Sequence, residues 1–450
     1  MADHAHATPV PAELPHVVII GGGFAGLEAV KALKNAKVRV TLIDRRNHHL
    51  FQPLLYQVAT ATLNPANIAS PLRHIFRNVD NLEVLLAEVA SVDVPNKTVQ
   101  LTDGAVKFDY LIIGAGASHS YMGHDDWAEH APGLKSLEDA VEIRRRILLA
   151  FEAAEREADP RARREWQTFV VVGGGATGAE LAGSLIEIAR NDMVHEFHNF
   201  NPTRSRVILI EAGPRVLASY AEELSASGKK QLEELGVEVR LNTPVTGIDA
   251  AGVTTKDGFI PCRTVLWGAG VVASALGKGL GVPTDKNGRV EVNPDLSIPG
   301  TPQVYVVGDQ MSLKQADGKP VPGVAQGAIQ SGRHAARNIL KQLKGQPTTP
   351  FKYFNKGELA TIGRAKGVGQ IGKVHLTGFI AWAMWAVVHI FFLVGFRGRL
   401  LVMFEWVLLY LFHNRGSRLI TGPYHDILER VDTPHPPDKP MKPKNAGALV

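Results

Sequence analysis

Glycines Gly21, Gly23 and Gly26 recur as Gly173, Gly175 and Gly178, 152 positions further along the same chain. Residues 17–28 read Val-Val-Ile-Ile-Gly-Gly-Gly-Phe-Ala-Gly-Leu-Glu, and residues 169–180 read Phe-Val-Val-Val-Gly-Gly-Gly-Ala-Thr-Gly-Ala-Glu. Each copy is a short apolar run, then G-x-G-x-x-G, then a stretch suited to a helix. In a β-α-β unit the first glycine makes a tight turn, and the second lets backbone approach a pyrophosphate. The third lets helix and strand pack closely, with the helix N-terminus facing the phosphate charge. Each copy then feeds a second apolar run ending in an acid, residues 38–43 before Asp44 and residues 207–210 before Glu211. One such motif constrains little. Two in register, each with its acid, predict an α/β fold with two Rossmann-like dinucleotide-binding domains.

The duplication extends past the glycines. Residues 82–86, Leu-Glu-Val-Leu-Leu, resemble residues 237–241, Val-Glu-Val-Arg-Leu. Asp103-Gly104 is matched by Asp257-Gly258, a hairpin-turn signal in both places. Ile113-Gly114-Ala115-Gly116 is matched by Trp267-Gly268-Ala269-Gly270. Each half therefore reads as β-α-β, a small antiparallel meander, and a return strand. Residues 16–120 make the first unit and 165–275 the second. Residues 290–345 return to the first, with an apolar strand ending at Gly308-Asp309 and a helix opening at Ala325-Gln326. Residues 1–15 read as a flexible lead-in, and the proline- and lysine-rich residues 431–450 as a disordered tail.

Composition excludes several classes. The net charge of +5 is mild, and basic residues are mixed with acids, so a dedicated nucleic-acid binder is not indicated. The single cysteine, Cys262, cannot form an internal disulfide, a redox pair or an iron–sulfur ligand set. The 17 histidines show no metal-binding spacing, and no calcium-binding loop interrupts the second unit.

Residues 346–430 carry a second constraint. Residues 378–396 hold no formal charge and include Trp382 and Trp385. Residues 400–412 are apolar apart from Glu405, with Trp406 among them. Three readings stand open: a buried core helix, a membrane span at the short end of the spanning range, or two helices lying in one leaflet. Tryptophans near headgroups and flanking arginines favour the last.

With these features in place, the chain resembles the flavoproteins that carry two dinucleotide-binding domains. Residues 47–57, Asn-His-His-Leu-Phe-Gln-Pro-Leu-Leu-Tyr-Gln, together with Ala325-Gln326 and the Trp/His/Arg-rich C-terminal region, narrow the likeness. The chain is similar there to the type II NADH:quinone oxidoreductases, single-subunit NADH dehydrogenases that do not pump protons. The resemblance implies FAD in the first unit, on Gly21, Gly23, Gly26, Asp44, Gly114, Gly308, Asp309, Ala325 and Gln326. It implies NADH on Gly173, Gly175, Gly178, Glu180, Glu211 and Gly270. Glu180 and Gln326 are the implied catalytic residues, beside the NADH and quinone region. Glu180 also has a plain structural reading, since Glu28 holds the same place in the first copy, and Gln326 could equally cap a surface helix. Asp44 and Asp309 have bland readings as a turn residue and a helix cap. The carboxylate of Glu211 disfavours a 2′-phosphate and so NADPH, although Arg215 nearby weakens that argument.

The resemblance further implies a membrane quinone as acceptor and the lipid bilayer surface as a partner. It implies a place on the cytoplasmic face of a bacterial inner membrane and a homodimer through the C-terminal region. Two other functions compete: a flavin-dependent reductase of a soluble acceptor such as ferredoxin, and a non-catalytic NADH sensor. The C-terminal apolar pair speaks against the first, and two intact nucleotide fingerprints against the second.

Overall fold

The computed structural model describes residues 14–412 and 415–421. Residues 1–13 of the predicted lead-in and the predicted tail at 431–450 lie outside the described residues.

The first sheet has six strands, in the order Ser297–Ile298, Thr301–Val306, Tyr110–Ile113, His16–Ile20, Arg39–Asp44 and Leu82–Leu86. All neighbours are parallel except the short Ser297–Ile298 strand. His16–Ile20 is buried throughout, which is why it reads as an unbroken apolar run. Gly21 turns the chain at φ +99° into helix α1 (Phe24–Leu33). A Cβ on Gly26 would stand 1.9 Å from the Gly21 carbonyl oxygen, so only glycine lets α1 start this close to its strand. The run at 47–57 supplies a short helix α2 (Leu55–Ala59).

Helix α3 (Leu137–Arg156) leads to the second unit, capped by Ser136 and Asp139 in a capping box. The second sheet runs Glu238–Arg240, Arg206–Ile210, Thr168–Val172 and Thr264–Trp267, all parallel. Gly173 repeats the turn at φ +105°, and a Cβ on Gly178 would meet the Gly173 oxygen at 1.8 Å. Helix α4 (Ala176–Glu187) follows, ending in a π-turn at Ile188–Asp192, and α5 (Glu222–Leu235) comes after the next strand. Each unit carries its three-stranded antiparallel meander. The two Asp-Gly turns lie between the second and third strands of each. An antiparallel pair, Ala117–His119 with Val271–Ala273, links the units.

The strand Thr301–Val306 and helix α6 (Ala325–Gln342) return to the first unit. Helix α6 crosses α1 so closely that a Cβ on Gly332 would lie 2.1 Å from the Ala25 oxygen.

The C-terminal region carries its two apolar stretches as helices and adds a sheet before them. It opens with a three-stranded antiparallel sheet, Glu358–Gly363, Lys366–Ile371 and Val374–Thr377. Gly363, Gly367, Gly369 and Gly372 interrupt the apolar alternation that marks strands, which hid this sheet. It seats directly on α4: a Cβ on Gly183 would stand 1.7 Å from the Ile362 oxygen.

Helices α7 (Gly378–Phe392) and α8 (Phe396–Phe412) follow. The uncharged run breaks between them, with Gly395 at φ +88°. No helix among the described residues is long and apolar enough to cross a membrane, which removes the spanning reading there. Helix α7 is not a buried core helix either. Phe379, Ile380, Val387 and Phe391 are all exposed, while Ala381 and Trp385 face inward.

Candidate active site

The first fingerprint opens on a cleft of about 490 Å³. Gly21, Gly23, Asp44, Gly114, Gly308, Asp309 and Ala325 all line it. A Cβ on Gly23 would meet no atom within 4 Å, so its backbone faces open space. Asp44 braces the glycine loop, one oxygen accepting from the Gly22 N–H at 2.6 Å and the other from the Arg46 N–H at 2.7 Å. The remaining lone pairs are available to ribose hydroxyls. The residues present fit a dinucleotide.

The second fingerprint repeats this geometry. Glu211 accepts from the Gly174 N–H at 2.6 Å and the Gly213 N–H at 2.7 Å. A Cβ on Gly175 would also meet nothing within 4 Å. Arg215 turns away from any 2′-phosphate role, donating to the Tyr220 and Ala218 carbonyls at 3.3 and 3.0 Å. The Gly114 N–H donates to the Ile20 oxygen at 2.8 Å, and the Gly268 N–H to the Val172 oxygen at 2.7 Å. Gly268 is therefore the structural counterpart of Gly114, and the aligned Gly-Ala-Gly motifs carried that signal. Gly270 sits in the link between units, where its carbonyl accepts from the Ser120 N–H at 3.3 Å.

Glu28 and Glu180 hold one place in the duplicated pattern and have opposite environments. Burial works to raise the Glu28 pKa, but hydrogen bonds from Lys31 and Arg333 outweigh it and hold the carboxyl below its usual range. Glu180 has no such cation. Burial pushes it up to about 8, with only a hydrogen bond from the Thr361 backbone opposing. It therefore carries a proton at neutral pH.

Glu180 lines a cavity of about 80 Å³ between α2, α4, the C-terminal sheet and helices α7 and α8. Tyr56 and Gln57 come from α2, and Trp382, Trp385, Trp406 and Tyr410 from the two C-terminal helices. Trp385 stacks on His389 at 4.3 Å and lies 5.4 Å from Trp406, whose indole N–H donates to Gln57 at 2.7 Å. The segment after α8 closes the floor. Arg415, 3% exposed, pairs with Asp192 at 2.8 Å and Glu187 at 3.3 Å and donates to the Thr60 carbonyl at 3.1 Å. Sequence reasoning missed this cavity, because its walls come from four distant stretches.

Gln326 has both ends of its side-chain amide engaged. Its amide donates to the Gly357 carbonyl at 2.7 Å, and its oxygen accepts from the Lys356 N–H at 3.0 Å. Both ends of the side chain hold the entry to the C-terminal sheet, and the cleft wall is made by its neighbours Val324 and Ala325. Glu180 and Gln326 are thus not brought together by any shared contact. Gln310, fully buried, was also missed; it accepts from the Ala115 N–H at 2.7 Å and so fixes the return loop of the first unit. Cys262 is buried, and burial pushes its thiol up to about 12.

Comparison with known proteins adds the family. The family described as pyridine nucleotide-disulphide oxidoreductase matches residues 15–332, and the NDH2 C-terminal domain matches residues 355–415. The type II NADH:quinone oxidoreductase Ndh of Mycobacterium tuberculosis is 44% identical, over 94% of this chain and 93% of its own length. The type II NADH:quinone oxidoreductase NdhA of the same organism is 46% identical, over 90% of this chain and 89% of its own. A structure of NDH2 from Plasmodium falciparum in complex with NADH superposes with a TM-score of 0.83, covering 91% of this chain and 100% of that one. Its identity of 18% speaks for the fold alone. The chain belongs to the type II NADH:quinone oxidoreductases, within the pyridine nucleotide-disulphide oxidoreductase superfamily.

Proposed function

We propose that this chain passes electrons from NADH through FAD to a membrane quinone, without pumping protons. The observation that carries the reading is the pairing of two braced fingerprints with Glu180 in an aromatic cavity beside exposed apolar helices. Gly21, Gly23, Gly26, Asp44, Gly114, Gly308, Asp309 and Ala325 would hold FAD. Gly173, Gly175, Gly178 and Glu211 would hold NADH, with Gly270 at the link between units. FAD supplies the two-electron chemistry between NADH and quinone; the chain supplies position and charge. The N-terminal end of α6, at Val324 and Ala325, lines the cleft, where the positive end of the helix dipole favours negative charge. Glu180 holds a proton that a reduced quinone requires. Gln326 acts as a positioning residue, fixing the C-terminal sheet against α6.

Helices α7 and α8 lie on one leaflet, on the cytoplasmic face of a bacterial inner membrane. Their exposed Phe, Ile, Val and Leu side chains supply the apolar contact, and Arg397 and Arg399 suit lipid phosphate. Quinone then enters between the Trp382 side of α7 and the Tyr410 side of α8. A homodimer through this region belongs to the same reading. The decisive experiment is a visible spectrum and an NADH:quinone assay on detergent-extracted protein. A flavin spectrum with turnover is the expected result. Colourless protein that takes up no FAD, or reduction of ferredoxin in place of quinone, would overturn it.

A further inference from the structure

The aromatic cavity has a polar end. Glu180, Ser184 and Glu187 stand at i, i+4 and i+7 on α4 and so share one side of the helix. All three line the cavity, with Asn191 and Asp192 beyond them. Asn191 is exposed, and the Glu187 side chain keeps 15% of its surface accessible. The opposite end is lined by Trp382, Trp385, Trp406 and Tyr410. The cavity is apolar toward the C-terminal helices and acidic toward bulk water.

The proposed reaction needs such an end. NADH gives up two electrons and one proton as hydride. A quinone takes two electrons and two protons to become a quinol. The balance is NADH + quinone + H⁺ → NAD⁺ + quinol, so one proton per turnover comes from water. Glu180 can give a proton only once before it must be refilled, and it stands two turns of α4 further from the exposed Asn191 than Glu187 does.

Glu187 is placed to refill it. One oxygen accepts from the Arg364 N–H at 2.6 Å, and the other faces Arg415 at 3.3 Å. Asp192, the Arg364 side chain and Arg415 are the charges around it, with Tyr56 facing both Glu187 and Glu180 from α2. Burial raises the Glu187 pKa, and Arg415 pulls it back only part of the way. Ser184 does not relay. Thr60 donates to the Tyr56 carbonyl at 2.8 Å, so the Ser184 hydroxyl, 3.1 Å away, must donate to Thr60, while it accepts from Arg415 at 3.3 Å. Transfer from Glu187 to Glu180 therefore runs through water. A water needs only about 10–15 Å³, and the cavity offers about 80 Å³ walled by carboxyl and hydroxyl oxygens.

We propose that Glu187, oriented by Arg415 and Arg364, is the proton-entry group, taking a proton from bulk at the Asn191 end and passing it through cavity water to Glu180. This rests on the NADH:quinone reading above, but part of its test does not. The protonated Glu180 carboxyl gives an infrared band that a Glu180→Gln variant lacks. Its exchange after transfer to D₂O measures proton access without turnover. In Glu187→Gln, which keeps the size and an oxygen to accept from Arg364, that exchange should slow several-fold. In single-turnover measurements flavin reduction by NADH should keep its rate. The quinone step should slow roughly 100-fold, the scale of a lost acid–base group, with a larger solvent isotope effect. A small weak acid such as formic acid should partly restore it.

Wild-type exchange in Glu187→Gln would overturn the proposal, whatever the enzyme's acceptor. So would a slowed quinone step with unchanged exchange and no rescue, which would make Glu187 only an anchor for Arg415. If Glu187→Gln does not fold, Asn191→Trp blocks the exposed mouth, and unchanged Glu180 exchange there would overturn it equally. Failure of the wild type to reduce any quinone would instead sink the proposed function and leave the exchange result standing.

Discussion

Two carboxyls at one step of a duplicated helix show how environment sets chemistry. Glu28 is tied to Lys31 and Arg333 and stays ionised; Glu180 faces an aromatic cavity and stays protonated. A carboxyl raised from 4.5 to about 8 binds its proton more tightly in the folded chain than in the unfolded one. Its cost to stability is absent at low pH, begins above the unfolded value and is complete once pH passes about 8. Glu180→Gln removes that cost, so its melting temperature should fall less than the wild type's between about pH 6 and about pH 9. In stopped-flow assays the quinone step should decline as pH rises through about 8, and the variant should lose that limb. Glu211 invites a different change. Glu211→Gln keeps one acceptor and presents an amide to a backbone N–H, so the Gly174 and Gly213 contacts cannot both survive. The NADH KM should rise and the preference over NADPH narrow, a loss of about 1–3 kcal/mol. An unchanged NADH/NADPH ratio would mean that another group reads the ribose. Cys262→Ala should leave activity near wild type, and the native thiol should resist alkylation until the protein unfolds. Rapid labelling of folded protein would contradict its burial.

Between elements, the contacts that matter are backbone to backbone. Gly183 lets α4 touch the C-terminal sheet, and a Cβ there would stand 1.7 Å from the Ile362 oxygen. Gly183→Ala must push α4 off that strand and deform the cavity. NADH oxidation by a small soluble dye should survive, while quinone reduction falls; equal loss of both would place the damage in the nucleotide units. Arg415→Ala leaves Asp192 and Glu187 without their guanidinium, and breaking a buried pair costs about 3–5 kcal/mol. Thermal melting measures that directly. The strand–turn–helix segments and their acids were legible because their chemistry is local: a turn at Gly21, a close approach at Gly26, an acid at the next strand end. The cavity was not, since Tyr56, Glu180, Thr361, Trp385 and Arg415 meet only when the chain is folded. The contacts of Gln326 were hidden for a related reason. Its position at the start of α6 was visible, but the backbone at Lys356 and Gly357 that captures its amide was not.

At the scale of the whole molecule, the exposed side chains of α7 and α8 make a surface without a partner among the described residues. Phe391, Phe396 and Phe404 are 67%, 76% and 60% exposed. Burying a Phe side chain in an apolar phase stabilises by about 1.5–3 kcal/mol. Replacing all three with Ser should release the protein from lipid vesicles in a flotation assay, with FAD content and melting temperature unchanged. Retained flotation would place the membrane contact elsewhere. Truncation near Gly372 is a poorer test, because it also deletes Arg415.

The strand Thr301–Val306 lies beside Tyr110–Ile113 in the first sheet, although the whole second unit stands between them in sequence. During synthesis, the ribosome therefore releases an incomplete first unit, with the apolar Tyr110–Ile113 strand bare along one edge. It must wait for nearly two hundred more residues. The second unit is contiguous and needs no such wait, so it can settle first and become the platform on which the first is finished. A nascent chain halted near residue 290 should already protect its second sheet from pulse proteolysis while the first remains open to attack. The N-terminal half, made first, is completed last.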